Sequence, residues 1–258
     1  YLMEKALNHS SDEIDIAVFA DPVFGGEALS IDQLAAFTGN GYETLRGWTD
    51  SLERLEYTAV EARNLQQLFP RDSSIVLTGR SASRANLART DVRSARVLHI
   101  ATHGYFNAVS DDNVGLGFST VDEHGVQDTG FVTLPELFSY RFNNELVVVS
   151  GCDTAMGRSL KGEGMMGLAR GFIAQGASHV ISTLWPVSDR ASAEFMAIFY
   201  RQLLTTRHVS RALQSAQAEM QQNPLYRNPF YWGAYVLSSV SPDQNMSFTS
   251  PADTSVLP

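Results

Sequence analysis

The chain has 258 residues, 44% of them apolar, with a mean hydropathy of −0.12, enough to bury the core of one large domain or two small ones. Its net charge of −9 speaks against a phosphate backbone as partner, and no apolar run reaches the roughly 18 residues of a membrane span. One cysteine cannot form an internal disulfide, so a reducing, cytoplasmic setting is expected, with no nucleic acid bound directly and no membrane.

In chain order, residues 1–13 read as a lead-in from a missing upstream region, because the chain opens on Tyr1 and not on methionine. The first strand is predicted at 14–20. A long amphipathic helix follows over 49–69, with Leu52, Leu55, Ala59, Ala62, Leu65 and Phe69 on one stripe. A second strand is predicted at 74–78, then a short helix over 83–90 capped by Ser83. The third strand covers 97–102. Between Gly104 and Leu134 lies a long gap whose glycine-rich centre, 115–125, reads as a hairpin insertion. A fourth strand at 145–150 precedes a helix over 164–175 that ends at Gly176, a C-cap. Strand 180–184, helices 188–204 and 209–222, and strand 231–237 complete the order. Residues 241–258, with three prolines and six serines or threonines, read as a flexible tail.

Strands that are nearly continuous apolar runs belong to a sheet buried on both faces. Their alternation with helices predicts an α/β fold, a central mostly parallel sheet of about six strands with helices on both faces. In such sheets ligands collect at the carboxyl ends of the strands. Two chemically competent side chains stand there, His103 after the third strand and Cys152 after the fourth, 49 residues apart. A thiol attacks as thiolate, and an imidazole beside it can take the proton and return it to a leaving amine. The backbone N–H groups of Gly104 and Cys152 are candidates for an oxyanion hole. His99 lies inside the strand body and reads as a packing residue. Asp21, Asp153 and Asp189 follow strand ends and could receive a basic substrate side chain, although each could equally cap the next turn or helix. Trp185 is a candidate wall for the cleft. An apolar substrate side chain would instead meet Trp185, Leu116 and Phe118. No cysteine–histidine cluster suits a metal, and no glycine-rich phosphate loop is present. No cofactor or metal is expected.

Six segments carry a resemblance: Ala20-Asp21-Pro22, Val97 to Gly104, Leu146 to Ala155, Gly162 to Arg170, Leu184 to Asp189 and Phe230 to Val236. Together and in this order they resemble the CHAT domain, a caspase-like module often found with tetratricopeptide repeats. The resemblance implies a caspase-like three-layer sandwich over residues 14–240 and a cysteine endopeptidase of the caspase and separase type, with the family's dyad on His103 and Cys152. It also implies a specific protein substrate and control by an attached repeat or sensor region. Bacterial defence is among the expected settings. The chain departs from many relatives at Gly151, where they carry alanine, which leaves the nucleophile in place. The alternative is a catalytically dormant module that binds a partner peptide, as some family members are.

Overall fold

The computed structural model describes residues 13–24, 54–106, 114–150, 163–242 and 244–249. Its strands are β1 (Ile16–Pro22), β2 (Ser74–Gly79), β3 (Val97–Ala101), β4 (Gly104–Phe106), β5 (Val114–Gly117), β6 (Phe131–Thr133), β7 (Leu146–Val149), β8 (His179–Thr183) and β9 (Tyr235–Ser239). The helices are α1 (Glu56–Leu68), α2 (Arg84–Leu87), α3 (Thr90–Ser94), α4 (Leu134–Leu137), α5 (Glu163–Ala174), α6 (Asp189–Thr206) and α7 (Val209–Gln222).

Six strands form one sheet in the order β2-β1-β3-β7-β8-β9, parallel throughout except for β9, which runs antiparallel to β8. Every residue of β1, β3, β7 and β8 is buried. The period of two along each strand divides the core between the two faces of the sheet. Ile16, Val18, Val97, Ala101, Leu146, Val148 and Ile181 pack with Ala62 and Leu65 of α1, Phe195 and Phe199 of α6, and Leu213 and Met220 of α7. Their alternates Ala17, Phe19, Leu98, Ile100, Val147, Val149 and Val180 pack with Leu87, Leu116, Phe118, Leu137, Leu168 and Phe172. Each such side chain contributes about 1.5–3 kcal/mol when fully buried, so the two faces together make this the expected α/β sandwich.

Local chemistry moves several boundaries. The helix expected over 83–90 is two short helices, because Arg89 takes an extended conformation (φ −62°, ψ 139°) between them. Ser83 caps α2 as expected, its hydroxyl accepting the Asn86 N–H. The last strand begins at Tyr235 instead of 231, since Pro229–Tyr231 is a 3₁₀ turn capped by the Asn228 side chain. The expected hairpin insertion is a three-stranded antiparallel sheet, β4-β5-β6.

In the segment expected to be a flexible tail, residues 244–249 pack onto the domain. Met246 is 2% exposed within the first core cluster, and Phe248 meets Phe69 edge-on at 5.7 Å. The Thr249 N–H donates to both carboxyl oxygens of buried Asp15, at 3.1 and 3.0 Å.

Candidate active site

The carboxyl ends of β1, β3, β7 and β8 lie side by side at one edge of the sheet, because these strands are consecutive neighbours and parallel. Asp21 is the last residue but one of β1, His103 follows β3, Ser150 follows β7, and Trp185 follows β8. In the β3–β7 ladder Val97 pairs with Leu146 and Ile100 with Val149, and the Ser150 N–H donates to Ile100 O at 3.0 Å. That offset of 49 residues is the interval between His103 and Cys152 in the sequence. Gly151, Cys152 and Asp153 lie outside the described residues.

His103 is 1% exposed, and the Phe24 ring stands edge-on to its imidazole with centroids 5.3 Å apart. Its carbonyl accepts the Gly117 N–H at 2.9 Å. Gly104 is opposite Leu116, one step further along the same ladder. Hydrogen-bonded and non-bonded pairs alternate in an antiparallel ladder, so the Gly104 N–H turns away from β5. Thr102 fixes the approach from β3, its hydroxyl donating to the Gly117 carbonyl. The histidine is therefore carried on a short bridge between the two sheets, tied at both ends.

Among the described residues, the acids and aromatics singled out in the sequence have definite partners. Asp21 adopts a left-handed backbone with φ of 50°, and its carboxylate takes a two-pronged contact from Arg54, Nε and Nη2 each at 2.7 Å. That hydrogen bond, and then the Asp21 charge, raises the Arg54 pKa further above its already high range. The Asp21 N–H donates to Thr58 Oγ1 at 2.9 Å. Asp189 accepts the Tyr57 N–H at 2.8 Å, so it serves the first turn of α1. Trp185 is half-buried against the first core cluster, its indole N–H donating to Phe230 O at 2.9 Å. Leu116 and Phe118 are wholly buried, Phe118 edge-on to Phe19 at 5.4 Å, so both belong to the core and not to a cleft wall.

Beneath this edge lies a polar cluster that pattern reading missed. His99 Nε2 is 2.6 Å from Glu61 Oε1 and its Nδ1 is 2.9 Å from the Tyr200 hydroxyl. The Ser150 hydroxyl donates to the same Glu61 oxygen at 2.8 Å and lies 3.3 Å from His99 Nε2. All four side chains belong to residues at most 1% exposed. Burial and then the nearby Glu61 charge push the Tyr200 phenol well above the usual tyrosine range. A tyrosine that keeps its proton can donate to Nδ1 of His99. His99 is thus a packing residue as expected, but its surroundings are polar. The four members come from α1, β3, α6 and the end of β7, spaced too far apart for any local motif to reveal them. Among the described residues, no group of three or more histidines, cysteines or acids is placed to hold a metal ion. None of the described helices is long and apolar enough to cross a membrane.

A family profile described as the CHAT domain matches residues 3–239. Tetratricopeptide repeat protein 28 of Mus musculus is 33% identical over 128 residues, which are 49% of this chain and 5% of that protein. Its namesake of Homo sapiens is 32% identical over 113 residues, 43% of this chain and again 5% of the relative. The aligned stretch is thus a small fraction of each relative's length. The Arg-specific cysteine proteinase gingipain R is similar with a TM-score of 0.49 at 9% identity, covering 92% of this chain and 48% of that one. The Drosophila initiator caspase Dronc gives 0.36 at 11% identity, covering 87% and 77%.

Proposed function

The chain belongs to the CHAT-domain family, and from that premise we propose that it is a cysteine endopeptidase in which His103 and Cys152 act as a dyad on a specific protein. The observation that carries the reading is the β3–β7 register, whose offset of 49 residues equals the interval between His103 and Cys152 in the sequence. His103 accepts the thiol proton as sulfur attacks the scissile carbonyl carbon. The tetrahedral oxyanion sits between the N–H groups of Gly104 and Cys152. Collapse breaks the C–N bond, and the imidazolium gives its proton to the departing amine, leaving a thioacyl group on sulfur. Water, deprotonated by the same imidazole, then releases the new carboxyl terminus and restores the thiol. Loss of one oxyanion donor typically costs about 10²–10³ in kcat.

The substrate side chain preceding the cut is basic in this reading, received by acids at the strand ends. Asp21, Asp153 and Asp189 are the candidates, and Trp185 flanks them. Asp21 is the best supported, since it directly follows Ala20, the last β1 residue paired with β3, and already holds a guanidinium, that of Arg54. An attached tetratricopeptide-repeat region, by analogy with the matched relatives, would regulate access. The buried state of His103 under Phe24 also favours a second reading, a dormant module that binds a peptide without cutting it.

A peptide library separates the two. Wild type is expected to cut with a basic residue before the scissile bond, and Cys152→Ala and His103→Ala to lose at least 10³ in kcat/KM. Cleavage surviving both substitutions would refute the dyad. Binding of the same peptides without cleavage, under activating conditions, would select the second reading.

A further inference from the structure

We propose that Glu61 is a positioning residue for this reaction, acting through His99 and Ser150 on the two chain segments that carry His103 and Cys152; the proposal rests on the dyad reading. Glu61 Oε1 is approached by the His99 imidazole of β3 at 2.6 Å and by the Ser150 hydroxyl, just past β7, at 2.8 Å. One carboxyl oxygen on α1 therefore ties the middle of β3 to the carboxyl end of its neighbour β7. Tyr200 of α6 closes the set from the far side of the imidazole. His99 stands four residues before His103, and Ser150 stands two before Cys152. The contacts lie on the face of the sheet covered by α1 and α6, directly below the edge where those segments leave it.

The placement has a physical consequence. A wholly buried polar cluster adds little net stability over apolar side chains of the same shape, but it fixes one arrangement. Here the arrangement concerns the relative height of β3 and β7, which Ser150 N–H···Ile100 O also sets. Backbone hydrogen bonds hold the ladder up to that pair, and the Glu61 contacts hold the side chains at its end. A displacement of about 1 Å at reacting atoms can cost about 10²-fold in rate. Glu61 Oε2 has no hydrogen-bond partner. The cluster therefore carries an unsatisfied polar atom that an optimised apolar core would not keep.

The test uses iodoacetamide, because Cys152 is the only cysteine and alkylation reports that thiol alone. Rates are measured against pH for wild type, Glu61→Gln, Ser150→Ala, Tyr200→Phe and His103→Ala, together with kcat and KM on the best library peptide. Glu61→Gln and Ser150→Ala should move the alkylation midpoint up toward that of an ordinary thiol and slow the reaction at pH 7 by about five- to ten-fold. They should lower kcat by about 10–100-fold and leave KM nearly unchanged. Tyr200→Phe, which deletes one oxygen, should do the same more weakly. Met220→Ala, which opens a cavity in α7 and removes none of the cluster's hydrogen bonds, should lower the thermal midpoint without moving the alkylation profile. If Glu61→Gln does not fold, Ser150→Ala and Tyr200→Phe decide the matter. Unchanged profiles and kcat in the cluster variants, with His103→Ala shifted, would overturn the positioning role alone. Shifts in Met220→Ala as large as theirs would also overturn it. An unchanged profile in His103→Ala would instead sink the dyad on which the proposal stands.

Discussion

Arg54 lies across Asp21 in a two-pronged contact, and the two side chains differ sharply in exposure, 68% against 11%. A left-handed aspartate is uncommon and tends to mark a site where geometry matters more than backbone comfort. If Asp21 receives a basic substrate side chain, as proposed, that side chain has to displace Arg54, whose charge persists at every working pH. Arg54→Ala is therefore expected to lower KM several-fold for peptides with arginine before the cut, an order-of-magnitude figure for losing one exposed competitor. Peptides with apolar residues there should be unaffected. Steady-state kinetics on the paired peptides decides it, and an unchanged or higher KM for arginine would remove Asp21 from that role. At this scale the sequence was readable where position alone mattered. Asp21, His103 and Trp185 do sit at strand ends. What it could not supply were partners distant in the chain: Arg54 for Asp21, the Tyr57 amide for Asp189, and Glu61 and Tyr200 for His99. A helical stripe counts apolar residues, and so it passes over a buried glutamate on the same face.

The strands were legible because a sheet covered on both faces favours nearly continuous apolar runs, and β1, β3, β7 and β8 supply them. Boundaries shifted where a single residue's backbone state decided the outcome, as at Arg89 between α2 and α3. Gly176, just past α5, shows the strictest such requirement. Its φ of +114° is one that L side chains rarely adopt, and a Cβ there would overlap the Phe142 carbonyl oxygen. Phe142 N–H in turn donates to Gln175 O at 2.8 Å, so the two segments are held close by backbone contact. Gly176→Ala is expected to cost about 1–3 kcal/mol, measured by urea unfolding. A variant as stable as wild type would show that this junction relaxes freely. Because α5 packs on the face away from Glu61, the Cys152 alkylation profile should not follow the loss.

The whole molecule separates its two sheet edges by task. At the amino edge, Arg96 gathers Glu13, Asp15 and Glu145, with Glu145 at 2.7 Å and Asp15 at 3.6 Å, while Thr249 closes over Asp15. This edge joins the starts of β1, β3 and β7 to the 244–249 segment and serves stability. The carboxyl edge holds His103 under Phe24 and Asp21 under Arg54. Both residues are covered by groups of the chain itself.

The central claim is that Cys152, served by His103, cuts a protein. It is tested most directly by comparing newly formed protein N-termini in cells that express the activated full-length protein or its Cys152→Ala variant. The account predicts a small set of N-termini, preceded in their parent proteins by a common kind of residue, that vanish in Cys152→Ala and in His103→Ala. Identical N-termini in wild type and both variants, with all three proteins folded and equally abundant, would contradict it.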